Sequence, residues 1–176
     1  MTREELRRYS REHLYYEINT LGHNVEMLHD IENLLKNKLI TNDQAIKFNN
    51  ARLESAAIHI RNLTSFLYDD HPTKRDSFRN DDVYALLYVK SEEGWKKDLG
   101  EISKTLRRAR KRANREVGHL TQGRVAGIPP EKAWEIERLF SELLNKLMIF
   151  FIHVDNQKID PHTLLLITQY GKKFLN

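Results

Sequence analysis

"DLGEISKTLRRARKRANREVGHL" occupies residues 98–120, and its reading decides the fold. The apolar positions Leu99, Ile102, Leu106, Ala109, Ala113 and Val117 recur at alternating intervals of three and four, the spacing of one helical face. A single helix over 98–120 is predicted, with that face turned to a core. Its other faces carry Lys104, Arg107, Arg108, Arg110, Lys111, Arg112 and Arg115, with no acid between residues 104 and 115.

The same period runs outward in both directions. A first helix opens at a capping box, Thr2 with Glu5, and is expected to reach about residue 37 with Leu14, Ile18, Leu21, Val25 and Leu28 buried. Gly22 is a candidate bend. A second opens at the box Thr41 with Gln44 and continues to about residue 68, with Ile46, Leu53, Ala56, Ile60, Leu63 and Leu67 inward. The polar "DDHPTKRDSFRNDD" at 69–82 reads as a surface loop.

Beyond "TQGRVAGI", Pro129-Pro130-Glu131 signals a fourth helix reaching about residue 154. That helix is apolar on more than one side. Leu143, Leu147 and Phe150 form one stripe, and Leu144, Met148 and Phe151 form another about 100° round. The second stripe calls for a cover: a C-terminal helix folding back with Leu165 and Phe174, or a second subunit. Asp160-Pro161 begins that last short helix, which also carries Leu164, Leu166 and Tyr170. Seven glycines, four prolines and no alternating strand pattern define an all-α chain. The expected architecture is an antiparallel four-helix bundle with an extra short C-terminal helix, one domain over residues 1–176.

Composition removes several function classes. There is no cysteine, which excludes disulfides, thiol redox chemistry and thiolate metal sites. The N-terminal "MTREELRRYS" is charged from its third residue, and the longest apolar run, "LMIFFIHV" at 147–154, is far shorter than a membrane span. A soluble cytoplasmic protein without a membrane partner is expected. The formal net charge is only +4, so the basic character is a local property of residues 104–115.

Within that stretch, Arg112 and His119 are seven residues apart, about 20° out of line, and so share a face with Arg108 and Arg115. His119 falls where the helix should end, at the edge of the apolar stripe. Two readings stand: a histidine interacting with the last helix carbonyls beside a solvated arginine face, or a catalytic pair. In the second helix, His59 lies in the arc of Phe48, Ile60, Leu63 and Phe66, an odd place for an imidazole without a partner. It is read either as a buried histidine bonded to a polar neighbour or as support for His119 or Arg112. Arg61 and Tyr68 point away from that arc and are expected on the surface.

"ANREVGHLT" at 113–121, together with "HIRNLTSFLYDD" at 59–70, resembles bacterial proteins of the HEPN superfamily, of the abortive-infection and toxin type, whose helices carry an arginine and a histidine with four to six residues between them. The resemblance implies a helical bundle that dimerises and, in many members, a metal-independent ribonuclease needing no cofactor. Its composite cleft would take arginine and histidine from two subunits. It puts the histidine on His119 and the arginine on Arg112. The commonest form has arginine five places before the histidine and a polar residue next, whereas Asn114 and then Arg115 stand here, which leaves the arginine open between Arg112 and Arg115. Asn114 lies about 140° round from His119 and would join it only through a distorted helix or across a dimer.

RNA is then the expected partner, with Lys104, Arg108 and Lys111 neutralising phosphates and a cognate antitoxin as a further possible partner. Two other classes compete. A non-catalytic helical module, such as the partner of a nucleotidyltransferase, would use the same basic face for binding alone. A di-metal carboxylate bundle would use the pairs Glu26 with His29 and Glu116 with His119, plus Glu54 and Glu142, although Arg112 and Arg115 would repel a dication there.

Overall fold

The computed structural model describes residues 1–69, 82–116 and 134–175. The described chain is all-α. Its elements are α1 (Arg3–Tyr9), a π-helical turn (Ser10–Leu14), α2 (Tyr15–Lys36), α3 (Asn42–Tyr68), a 3-10 turn (Ala85–Leu87), α4 (Glu92–Leu99), α5 (Lys104–Glu116), α6 (Ile136–His153) and α7 (Pro161–Phe174).

Both capping boxes form as the sequence implies. Thr2 Oγ1 accepts from Glu5 N at 3.2 Å while Thr2 N donates to Glu5 Oε2 at 2.7 Å. Thr41 and Gln44 repeat the exchange at 3.2 and 2.9 Å. α2 and α3 form an antiparallel hairpin, in which Asn24 meets Ser55 and Arg52 while Glu17 meets His59 and Asn62. Ile18, Leu21, Ala56, Ile60 and Leu63 fill the space between them and the rest of the core. Ile46 is not part of it, being 59% exposed near the turn end of the hairpin, and Phe48 is exposed as well. Leu28 and Leu53 are half-buried.

The single helix expected over 98–120 is two helices. Gly100 adopts φ 66 and ψ −171, a conformation open essentially to glycine alone, and it ends α4. Ser103 Oγ then accepts from Leu106 N at 3.0 Å and starts α5. α4 itself begins at Ser91, whose hydroxyl accepts from Gly94 N at 3.3 Å. The apolar stripe survives the break because Leu99, Leu106, Ala109 and Ala113 are all buried on their separate helices. Val117, the loop "TQGRVAGI" and the start at Pro129 to Glu131 lie outside the described residues, as do residues 70–81 of the expected surface loop. Trp134 and Glu135 precede α6, which begins at Ile136.

α6 is the central helix. Phe150 is met edge-on by Phe66 of α3, Tyr88 and Trp95 of α4, with ring centroids 5.4, 6.0 and 5.8 Å away. α7 covers its second apolar side: Phe140 packs against Tyr170 and Phe174 at 5.7 and 5.1 Å, and Met148 lies against Gly171. The fold-back route to covering that stripe is therefore the one used, although Leu165 takes no part and is 55% exposed. α7 runs parallel to the first two helices, with Thr163 bonded to Ser10, Tyr170 to Asn19 and Lys173 to Glu26.

The π-turn has a structural cause. Ser10 is fully buried, and its hydroxyl accepts from Asp160 N at 2.9 Å while its carbonyl accepts from Thr163 Oγ1 at 2.9 Å. The widened turn thus offers the first residues of α7 a docking point. Gly22 does not bend α2. It gives room to Tyr170, whose Cζ would lie 2.3 Å from an added Cβ.

Gly22→Ala should therefore reverse the usual sign of a helical glycine-to-alanine change. Instead of stabilising by a few tenths of a kcal/mol or more, it should cost about 1–3 kcal/mol in urea unfolding. Tyr170→Leu in the same chain should recover part of that loss. An unchanged or raised midpoint for Gly22→Ala alone would contradict the packing of α7 on α2.

Candidate nucleic-acid interface

α5 lies on α3 and α6 through Leu106, Ala109 and Ala113. This apolar strip turns the remaining faces outward, so Lys104, Arg107, Arg108, Lys111 and Arg115 are exposed. A row of cations on one rigid element, without an intervening acid, raises the local concentration of a polyanion. Arg110 is the exception. It stands four residues after Leu106 and three before Ala113, a core-register position, and pairs in bidentate fashion with Asp69 at the end of α3, at 2.7 and 2.5 Å. The pair ties the basic helix to α3.

Arg112 is half-buried. Its guanidinium carbon lies 4.4 Å from the centroid of the Trp134 ring, a cation–π contact that joins α5 to the residues just ahead of α6. Such a contact restricts a long side chain. Trp134 went unnoticed in the sequence, since the segment between the two residues carries no signal of where the chain returns. His119, with Gly118, lies outside the described residues.

Asn114 is exposed and opens on a different side of α5 from Arg112, about 200° round the helix. It lines a polar cleft of about 460 Å³ bounded by the π-turn region, α3, residues 82–84 and α5. Tyr9, Glu17, Arg61, Asp82 and Tyr84 also line it. Burial raises the Tyr9 hydroxyl pKa above its ordinary value, and the charges of Glu17 and Asp82 add to the effect, so the phenol stays a hydrogen-bond donor at neutral pH.

His59 is 5% exposed, with Nδ1 2.7 Å from Glu17 Oε2 and the Tyr16 ring edge-on at 5.5 Å. The second Glu17 oxygen accepts from Asn62 Nδ2 at 3.0 Å, and Asn62 Oδ1 accepts from Arg61 Nε and Nη2. His59 is thus a buried histidine held by a carboxylate of α2, and that network forms one wall of the cleft. Glu17 is three residues after Leu14 and four before Leu21, again a core-register position, which is the signal that would have found it. Arg61 is half-buried within the network. Tyr68 is half-buried too: its hydroxyl is buried without a hydrogen-bond partner among the described residues, and burial pushes its pKa up to about 12, with Glu142 adding to the shift.

The residues nominated for a di-metal centre do not converge where they are described. Glu26 takes Lys173 Nζ at 2.6 Å, and His29 Nε2 stands 3.5 Å from Glu137. Among the described residues no three His, Asp or Glu side chains are placed to hold a metal ion together, and no described helix is long and apolar enough to cross a membrane. Comparison with known protein families, with curated proteins and with solved structures returns no match to the chain.

The Asp69–Arg110 pair is about two-thirds shielded on both sides, so it should contribute more than a surface ion pair. In a double-mutant cycle with Asp69→Asn and Arg110→Gln, the coupling should be about 1 kcal/mol by chemical unfolding. A coupling near zero would mean that α5 is held by its apolar strip alone.

Proposed function

We propose that this chain is a cytoplasmic, metal-independent endoribonuclease of the HEPN type, with Arg112 and His119 as the reacting pair. The observation that carries the reading is the basic face of α5, on which Arg112 is held against Trp134 while Arg108, Lys111 and Arg115 surround it. The resemblance of residues 113–121 to the superfamily motif supports the same pair.

The chemistry suits these residue types. His119 would take the proton of a ribose 2′-hydroxyl, the freed oxygen would attack the adjacent phosphorus, and the bond from phosphorus to the 5′-oxygen would break, leaving a 2′,3′-cyclic phosphate and a 5′-hydroxyl protonated from water. Arg112 would stabilise the charge growing on the non-bridging oxygens, with Arg115 the alternative for that role. Lys104, Arg108 and Lys111 would bind neighbouring phosphates by releasing counterions. Two copies of the chain would share the cleft, as in the superfamily, and a cognate antitoxin would act by covering the basic face.

Wild-type protein should cleave RNA in EDTA, and His119→Ala and Arg112→Ala should each lose at least about a hundredfold in rate with their helical content intact. Cleavage by His119→Ala at the wild-type rate would rule out the catalytic pair. RNA binding by the wild type without any cleavage would instead make the chain a non-catalytic binding module. A 20.9 kDa monomer in light scattering that still cleaves would remove the shared cleft.

A further inference from the structure

The cleft beside α5 holds several polar groups that the fold does not use. Arg61 spends Nε and Nη2 on Asn62 Oδ1, at 3.1 and 2.9 Å, and its Nη1 has no partner among the described residues. Asp82 accepts the Tyr84 hydroxyl through Oδ2 at 3.2 Å, which leaves Oδ1 without a partner among them. The Asn114 amide and the Tyr9 hydroxyl likewise have none there. Half-buried polar groups normally find partners within the fold, so Arg61 Nη1 and the Tyr9 hydroxyl, which face one cavity together with the exposed Asp82 and Asn114, point to a ligand. The cavity, about 460 Å³, is in the size range of small-ligand sites.

The charges decide what kind of ligand fits. Glu17 is engaged by His59 and Asn62, and Asp69 is engaged by Arg110, so both are neutralised or hydrogen-bonded already. Asp82 remains as a carboxylate acceptor and Arg61 as a cationic donor. A phosphate would meet the Asp82 carboxylate and is less suited than an uncharged group. An uncharged, planar group with donors on one edge and acceptors on another is favoured, and the Tyr9 and Tyr84 rings provide aromatic surface of the kind on which such a group stacks. Guanine has this pattern. Its N1–H and N2 amine are adjacent donors suited to a carboxylate, and its O6 and N7 are the acceptor pair that arginine reads.

We propose that the cleft receives a guanine base, with Asp82 accepting from its N1–H and N2 amine and Arg61 donating to O6 and N7. The proposal rests on the RNA reading given above, and Arg110 and Asn114 are common to the cleft and the basic helix. A base seated here would set which nucleotide lies beside the phosphate held on α5, and so would give cleavage a preference for guanosine.

The test is calorimetric titration of the full chain with the 5′-monophosphates of guanosine, adenosine, cytidine and uridine. The guanosine nucleotide should bind at least about tenfold more tightly than the other three. Asp82→Asn, at an exposed position where unfolding is not expected, and Arg61→Gln should each erase most of that preference. Equal binding of all four, no binding of any, or an unchanged guanosine preference in Asp82→Asn would overturn the site. Guanosine selectivity without RNA cleavage would leave the base site standing and end the ribonuclease reading. Cleavage without base selectivity would do the reverse.

Discussion

The burial of Phe150 is the constraint from which the rest of this fold follows. Its ring is fully enclosed, and α3, α4 and Tyr88 each contribute an aromatic edge to it. Each edge-to-face pair contributes about 0.5–1.5 kcal/mol beyond the area it buries. Enclosing Phe150 in this way makes α6 central, and a central helix needs cover on every side. α4 supplies one side, through Trp95 and the bond from His153 Nε2 to Asp98 at 2.7 Å. α3 and α5 supply another. The side carrying Leu144 and Met148 is left to α7.

Docking α7 is what distorts the first helix. The π-turn at Ser10 and the missing side chain at Gly22 are two concessions to the same partner, one taking the start of α7 and the other Tyr170. With the interior satisfied by uncharged packing, α5 needs to contribute only a narrow strip of leucine and alanine. Its remaining surface is free to be almost wholly cationic. Arg110, balanced by Asp69, fixes how that surface is presented.

Much of this organisation was legible in the sequence, because capping boxes and three-four spacing are local signals. Thr41 with Gln44 and the stripe from Leu14 to Val25 needed no knowledge of the partner helix. What escaped depended on distant residues or on a single torsion. The break at Gly100 was hidden because Leu99, Ile102 and Leu106 keep helical spacing across it. Ile46 has the right spacing but lies where the hairpin has no third helix against it. At the candidate site the row of cations was plain, whereas Trp134 reaches Arg112 only through tertiary structure. Charged residues at core-register positions are the transferable lesson: His59 follows Ala56 by three and precedes Leu63 by four, as Glu17 and Arg110 do with their own apolar neighbours. All three prove to be paired.

Trp134 makes the location of RNA directly measurable. The chain has two tryptophans, and Trp95 is 2% exposed in the core, so only Trp134 is placed to sense a ligand at Arg112. Intrinsic fluorescence should be followed while a single-stranded RNA is added to the wild type and to Trp134→Phe, with binding monitored in parallel by the anisotropy of labelled RNA. If RNA is held on α5 at Arg112, the wild-type emission will change in step with binding and the Trp134→Phe emission will not. RNA that binds the wild type with no change in emission would place it away from Arg112 and contradict the assignment of α5 as the working surface.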